Sequence, residues 1–216
     1  MKNKEKILLS ATNLFNEMGV VNVRLQHISD DTIISLGNIA YHFKNKEAIV
    51  STIFEAMEKS LKEALIEYRH TPIFANMDRI FGSIEEVQSE YGFFFSDLIE
   101  IKRNYPKLFE KIFRFFSWQE FLFHEIIHFN VSRGAFKPIE RQEEKAFLAK
   151  LLVQSINLYP ASKLLWTENL TDNSSLSFYI WQILLPFMTN IGREEYNVLV
   201  NQKIQISDST DESSPG

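Results

Sequence analysis

The chain of 216 residues contains no cysteine. Disulfides and thiolate metal sites are therefore excluded, and a reducing compartment suits the sequence. It also lacks both an N-terminal apolar h-region and an uninterrupted apolar stretch of about twenty residues. Neither a secretory leader nor a spanning helix is expected, and the sequence reads as a soluble cytoplasmic protein with no membrane partner. No run alternates apolar and polar residues as a half-buried strand does, and there is no internal repeat and no Gly/Ser-rich linker. What is left is helical periodicity, so the expected fold class is all-α.

Positive charge is in short supply: the net charge is −5. That figure alone argues against a polyanionic partner, but its distribution argues the other way. Residues 1–46 carry six basic and four acidic side chains, whereas the remainder carries 17 basic and 24 acidic. A mildly basic start on an acidic remainder suits a protein that meets phosphate at one end only.

The N-terminal stretch shows how that end is built. From Lys2 to Met18, the apolar residues Ile7, Leu8, Ala11, Leu14, Phe15 and Met18 recur at helical spacing, and Gly19 follows as a stop. A shorter helix is expected over Leu25–Asp31, with Leu25 and Ile28 inward and Gln26, His27 and Asp30 outward. Thr32-Ile33-Ile34 forms a turn, and the Ser35 hydroxyl is placed to cap a third helix. Gly37 lacks a Cβ, which allows a backbone or a phosphate to come close. The third helix ends in the aromatic-basic run Tyr41-His42-Phe43-Lys44-Asn45-Lys46-Glu47, and a longer helix begins at once. Two short helices in this succession suggest a helix-turn-helix.

On these residues the stretch 4–50 resembles the DNA-binding domain of the TetR family of bacterial regulators. Ile7, Leu8, Ala11, Leu14, Phe15, Gly19, Ile28, Ser35, Gly37, Tyr41, His42, Phe43, Lys44, Lys46 and Glu47 match at the family's spacing. The resemblance implies a three-helix DNA-binding domain over 1–46 and a helical effector-binding and dimerisation domain over 47–206. The Ser/Asp-rich tail 207–216 is expected to be disordered. It further implies a repressor, not an enzyme and without a cofactor, that binds palindromic double-stranded operator DNA as a homodimer. A small lipophilic or aromatic effector would release it. Asn38, Tyr41 and His42 are then the candidates for base contacts and Leu36 for a thymine methyl. Ser35, the Gly37 N–H and Lys46 would position phosphates, and Arg24 and Gln26 would reach the flanking backbone.

Three departures from the family pattern have structural consequences. Arg24 stands where a Ser or Thr usually caps the second helix, so the cap comes from Asn22 or is missing, at roughly 1 kcal/mol. Ile33 replaces the turn glycine, and a turn of different geometry is expected because a β-branched residue is strained in the left-handed region. Ala40 replaces an aromatic residue that commonly contacts phosphate, leaving that role to Tyr41 or His42.

Beyond Glu47, helices are expected over Lys46–Tyr68, Ile73–Glu90, Phe93–Arg103, Pro106–Arg133, Glu140–Trp166 and Leu176–Val200. Fourteen of the 19 phenylalanines lie between Phe74 and Phe147, and they surround so much of the Pro106–Arg133 helix that it is expected to be central. Aromatic rings with a few polar groups also line small-molecule pockets. Leu61, Phe81, Phe94, Phe109, Phe113, Phe116, Gln119 and Phe147 form the candidate effector pocket. Trp166, Phe178, Tyr179 and Trp181 are the candidate anchors of a dimer interface made by the last two helices, which Pro160 and Pro186 should kink.

One motif competes. His124-Glu125-Ile126-Ile127-His128 satisfies H-E-x-x-H, the signature of zinc metallopeptidases, and on a helix the two histidines share a face. The extended form fails, because no further histidine follows in register, and Glu143 or Glu144 would have to serve as third ligand. Two half-buried histidines without a metal are the simpler expectation.

Overall fold

The structure is a computed structural model that describes residues 2–68, 71–166 and 175–211. Among the described residues the chain is all-α, with an isolated antiparallel bridge between Phe136 and Met188 as its one β-type pairing. No helix is long and apolar enough to cross a membrane among these residues.

Three helices form the head: α1 (Asn3–Met18), α2 (Leu25–Thr32) and α3 (Leu36–His42). α1 buries Ile7, Ala11 and Phe15 at i, i+4, i+8 against α2, α3 and the start of α4. It stops where expected, at Gly19, whose φ of 79° is readily adopted only without a Cβ. Val20, Val23, Ile28, Ile34, Ile39 and Phe43 complete this small core.

The cap of α2 differs from expectation. The Asn22 side chain turns back to the Met18 carbonyl at 2.8 Å and closes α1 instead. At α2 the reciprocal half of a capping box survives, because His27 Nδ1 accepts from the Arg24 backbone N–H at 3.3 Å. The turn into α3 also departs from expectation. Ile33 keeps the left-handed geometry, at φ 56° and ψ 31°, and is the one non-glycine residue with positive φ among those described. Its side chain is 94% exposed, so packing does not compensate for the strain.

α4 (Lys46–Tyr68) runs from the head into the body, where α5 (Phe74–Glu90), α6 (Phe93–Ser96), α7 (Leu98–Asn104), α8 (Pro106–Ser132), α9 (Gln142–Trp166), α10 (Leu176–Leu184) and α11 (Asn190–Asp211) follow. Two expected helices are interrupted. The 93–103 segment breaks at Asp97 into α6 and α7, and the 176–200 segment breaks at Pro186, which lies in a 3-10 turn between α10 and α11. Pro160, by contrast, is accommodated inside α9. α11 continues to Asp211, into the tail expected to be disordered, and residues 212–216 lie outside the described residues.

α8 is not apolar on every side. It buries Leu108, Ile112, Phe115, Phe123, Ile126 and Ile127 against neighbouring helices, but Phe113, Ser117 and Phe121, four residues apart, form an exposed stripe. In the body core, Trp181 of α10 packs on Phe74, Phe81 and Tyr196. Its indole N–H donates to Asp78 Oδ1 at 3.0 Å, and Lys203 Nζ donates to the same oxygen at 2.6 Å.

Candidate functional site

α3 presents one exposed face on the head. Ile39 is buried and Phe43, just after the helix, anchors its end, so the opposite face must point outward. That face carries Ser35, Leu36, Gly37, Asn38, Ala40 and Tyr41, all exposed, with Tyr41 at 85%. Ser35 caps the helix as expected, its hydroxyl accepting from the Asn38 N–H at 3.3 Å. A Cβ built on Gly37 meets nothing within 4 Å, so packing inside the protein does not require glycine there. His42 is half-buried and lies edge-on to the Tyr41 ring at 5.2 Å. Arg24, just before α2, and Gln26, in its first turn, are exposed, with Gln26 Nε2 donating to Asp30 Oδ1 at 2.7 Å.

Lys46 has a different position from the one its spacing suggests. Its ammonium donates to the carbonyls of Val20 at 2.7 Å, Val21 at 3.3 Å and Val23 at 2.8 Å. An ammonium has three donors, and all three are used inside the head. Burial lowers its pKa below the ordinary lysine value. Lys46 therefore ties the α1–α2 loop to the start of α4, and the phosphate role assigned to it is withdrawn. Lys44, two residues earlier, is exposed.

No protein-family model matches the chain. Over 68 residues, 30% of this chain, it is 32% identical to the probable HTH-type transcriptional regulator YttP of Bacillus subtilis (strain 168), and the match spans 33% of that relative's length. A TetR-family transcriptional regulator from Marinobacter aquaeolei VT8 superimposes with a TM-score of 0.81 at 29% identity, covering 94% of this chain and 98% of that one. In fold and in sequence the chain is thus similar to TetR-family transcriptional regulators. The ketosteroid transcriptional regulator KstR2 of Mycobacterium tuberculosis shares the fold at 14% identity, with a TM-score of 0.66 over 88% of this chain and 96% of its own.

In the body, the eight residues proposed for one pocket do not converge. Leu61, Phe81 and Phe94 are buried core, with Phe81 stacked on Phe123 at 6.4 Å. Phe113 and Phe147 are exposed, Phe147 at 66%, while Phe109 and Phe116 are half-buried. Gln119 is buried, but its Oε1 accepts from Asn157 Nδ2 at 2.9 Å and joins α8 to α9. Clefts form elsewhere, one of about 330 Å³ between the end of α1, α5, α6 and α9 and one of about 430 Å³ between α4 and α8.

The expected interface anchors divide as well. Phe178 and Tyr179 are exposed, but Trp181 is 2% exposed and belongs to the core described above. The Trp166 side chain lies outside the described residues. His124 Nδ1 faces Glu125 at 3.2 Å, and no group of three potential metal ligands converges among the described residues. Within the H-E-x-x-H sequence Ile126 and Ile127 belong to the core, His124 is half-buried, and the exposed Glu125 turns to His124 while His128 is exposed.

Sequence reasoning missed a set of contacts between head and body. Asn16 Nδ2 donates to the Glu90 carbonyl at 2.8 Å and its Oδ1 accepts from the Phe93 N–H at 3.0 Å. Nearby, Asp97 Oδ2 accepts from the Val20 N–H at 2.6 Å, and the Phe15 and Phe93 rings meet at 5.1 Å. A Cβ at Gly19 would come within 3.1 Å of the same Asp97 oxygen, a second reason for glycine there. Asn16 sits on the polar side of α1, so its periodicity carries no signal of this role.

Proposed function

We propose that the protein is a transcriptional repressor that binds palindromic operator DNA as a homodimer and lets go when a small molecule occupies the body. The observation that carries this reading is the outward face of α3. Among the described residues nothing lies within 4 Å of a Cβ placed on Gly37, and Tyr41 and Asn38 stand exposed beside it. In this role Asn38 and Tyr41 meet base edges, His42 steadies the Tyr41 ring, and Leu36 meets a thymine methyl. Ser35, the Gly37 N–H and Lys44 position phosphates, and Arg24 and Gln26 reach the flanking backbone.

Dimerisation is supported by an apolar stripe on α9. Phe147, Leu158 and Leu165 are exposed at spacings of eleven and seven residues, which keeps them on one face of the helix, and Leu164 adjoins it. Phe178 and Tyr179 extend that face onto α10, with Tyr179 5.9 Å from Tyr159 of α9. A contiguous apolar face of this kind marks an interface. Two copies supply two recognition helices, and two half-sites supply specificity that one short helix lacks.

The test is a titration of duplex DNA followed by fluorescence anisotropy at several salt concentrations. Tyr41→Ala and Asn38→Ala should relax preference at particular base pairs, by about 1–3 kcal/mol where a bidentate contact is lost. Lys44→Ala should weaken all sequences alike and make the slope of log affinity against log salt shallower by about one. Affinity for duplex DNA that is independent of salt and of all three residues contradicts the reading.

A further inference from the structure

The cations of the head and of the body differ in what they face. In the body, Lys62, Lys111, Lys163 and Lys203 each lie within 3.3 Å of a carboxylate. In the head, Lys46 is occupied by three carbonyls, and the other five basic side chains, Lys2, Lys4, Lys6, Arg24 and Lys44, are all exposed. Among the described residues none of these five has a carboxylate within 4 Å.

Three of the five are gathered at the tip of α1, Lys2 as the residue before the helix and Lys4 and Lys6 at its start. The acidic residue among them, Glu5, is engaged locally, its Oε2 accepting from the Lys2 backbone N–H at 3.0 Å. Lys2 and Lys6 are four residues apart, and like charges at that spacing repel. A cluster that repels itself and has no counter-charge inside the molecule is favoured by an anion outside it.

The tip lies beside α3. Asn3 Nδ2 donates to Asn38 Oδ1 at 3.5 Å, and Lys4 Nζ lies 5.8 Å from the centre of the Phe43 ring. Asn38 is in the first turn of α3 and Phe43 directly follows its last residue, so these two contacts run along the helix from one end to the other. The lysines therefore border the face that presents Asn38 and Tyr41. A helix in the major groove has base edges in front of it and a sugar-phosphate strand on either side. Cations beside such a helix meet phosphate, at about one charge per 3.4 Å of strand. An ammonium on a flexible stem neutralises that charge without reading sequence.

We propose that the tip of α1 is a second DNA-binding surface, on which Lys2, Lys4 and Lys6 hold phosphates bordering each half-site and add affinity without adding sequence preference. The proposal rests on the reading of the protein as a DNA-binding regulator and extends its contact with the duplex to an element outside the α2–α3 pair.

The test compares the full-length wild type with Lys2→Gln/Lys4→Gln/Lys6→Gln, with Lys2→Arg/Lys4→Arg/Lys6→Arg, and with a charge-matched control in the body, Lys59→Gln/Arg114→Gln/Lys145→Gln. Anisotropy measures affinity against salt for a duplex enriched from a random pool and for a duplex of random sequence. The glutamine triple at the tip should weaken both duplexes about tenfold or more and make the slope of log affinity against log salt shallower by about two to three per half-site. The sequence it selects from the pool should match that of the wild type. The arginine triple and the body control should keep the wild-type slope. Ethylation interference should show phosphates that matter to the wild type and no longer matter to the glutamine triple. The three single Lys→Gln variants, each at an exposed position, should share the slope change between them, so the result does not depend on the fold of the triple variant. A wild-type slope in the glutamine triple, or an equal loss in the body control, overturns the proposal, and a changed consensus overturns the phosphate role. If no duplex is enriched but the random duplex still responds to the glutamine triple, the operator reading fails while the phosphate surface stands. Absence of binding to either duplex overturns both.

Discussion

Ile33→Gly should stabilise the protein. Ile33 holds φ 56° in the turn between α2 and α3, a region that costs a residue with a Cβ about 1–2 kcal/mol. The side chain is 94% exposed, so its removal forfeits almost no burial. Against the gain stands the greater freedom of glycine in the unfolded chain, roughly 0.5–1 kcal/mol. The balance is a stabilisation of about 0.5–1 kcal/mol, or a rise in Tm of roughly 1–4 °C for a chain of this size. Urea unfolding followed by circular dichroism measures it as a higher midpoint at unchanged slope. Ile33→Ala serves as the control: it removes the branching but keeps a Cβ in the left-handed region, so its gain should be smaller. If Ile33→Gly lowers the midpoint, or Ile33→Ala matches it, backbone strain is not what this turn contains.

Lys46→Met should destabilise by about 2 kcal/mol or more, because three carbonyls lose a charged donor, while the salt slope of DNA binding stays at the wild-type value; a shallower slope would return Lys46 to the phosphates. Phe147→Glu and Leu158→Glu should each shift the protein to monomer in sedimentation at micromolar concentration, whereas Trp181→Phe should lower stability and leave the assembly unchanged. Burial, followed by the hydrogen bond and charge of Glu90, pushes the Tyr91 hydroxyl up from 10.0 to about 12. A folded pKa above the unfolded one gives stability that is fully present below pH 10 and is lost as pH rises toward about 12. Tyr91→Phe should flatten that fall in alkaline unfolding curves, and an unaltered slope would remove Tyr91 as its source.

The head was legible because its signals are local. Periodicity, a glycine stop and the Ser35 cap act within one helical turn, and they appear where the sequence places them. Lys46 was misread because its spacing from α3 is the same whether the ammonium points at DNA or at the α1–α2 loop. Only the convergence of three carbonyls distinguishes the two. Asn16 was invisible for a related reason: its partners lie 74 and 77 residues away. In the body, abundant phenylalanine hid the partition between core and surface. Phe115 and Phe123 are buried, whereas Phe113 and Phe121 on the same helix are exposed. An exposed apolar face has the same composition as a core. Trp181 shows the reverse confusion, since an aromatic residue on a late helix reads as an anchor until its indole is seen bonded to Asp78.

Selection of bound sequences from a random duplex pool tests the central claim most directly. The account predicts a palindromic consensus whose half-sites lie about one helical turn or more apart, with the preference blunted at defined positions by Tyr41→Ala and Asn38→Ala. A pool that yields no enriched sequence, or a single half-site bound equally well by both variants, would contradict it.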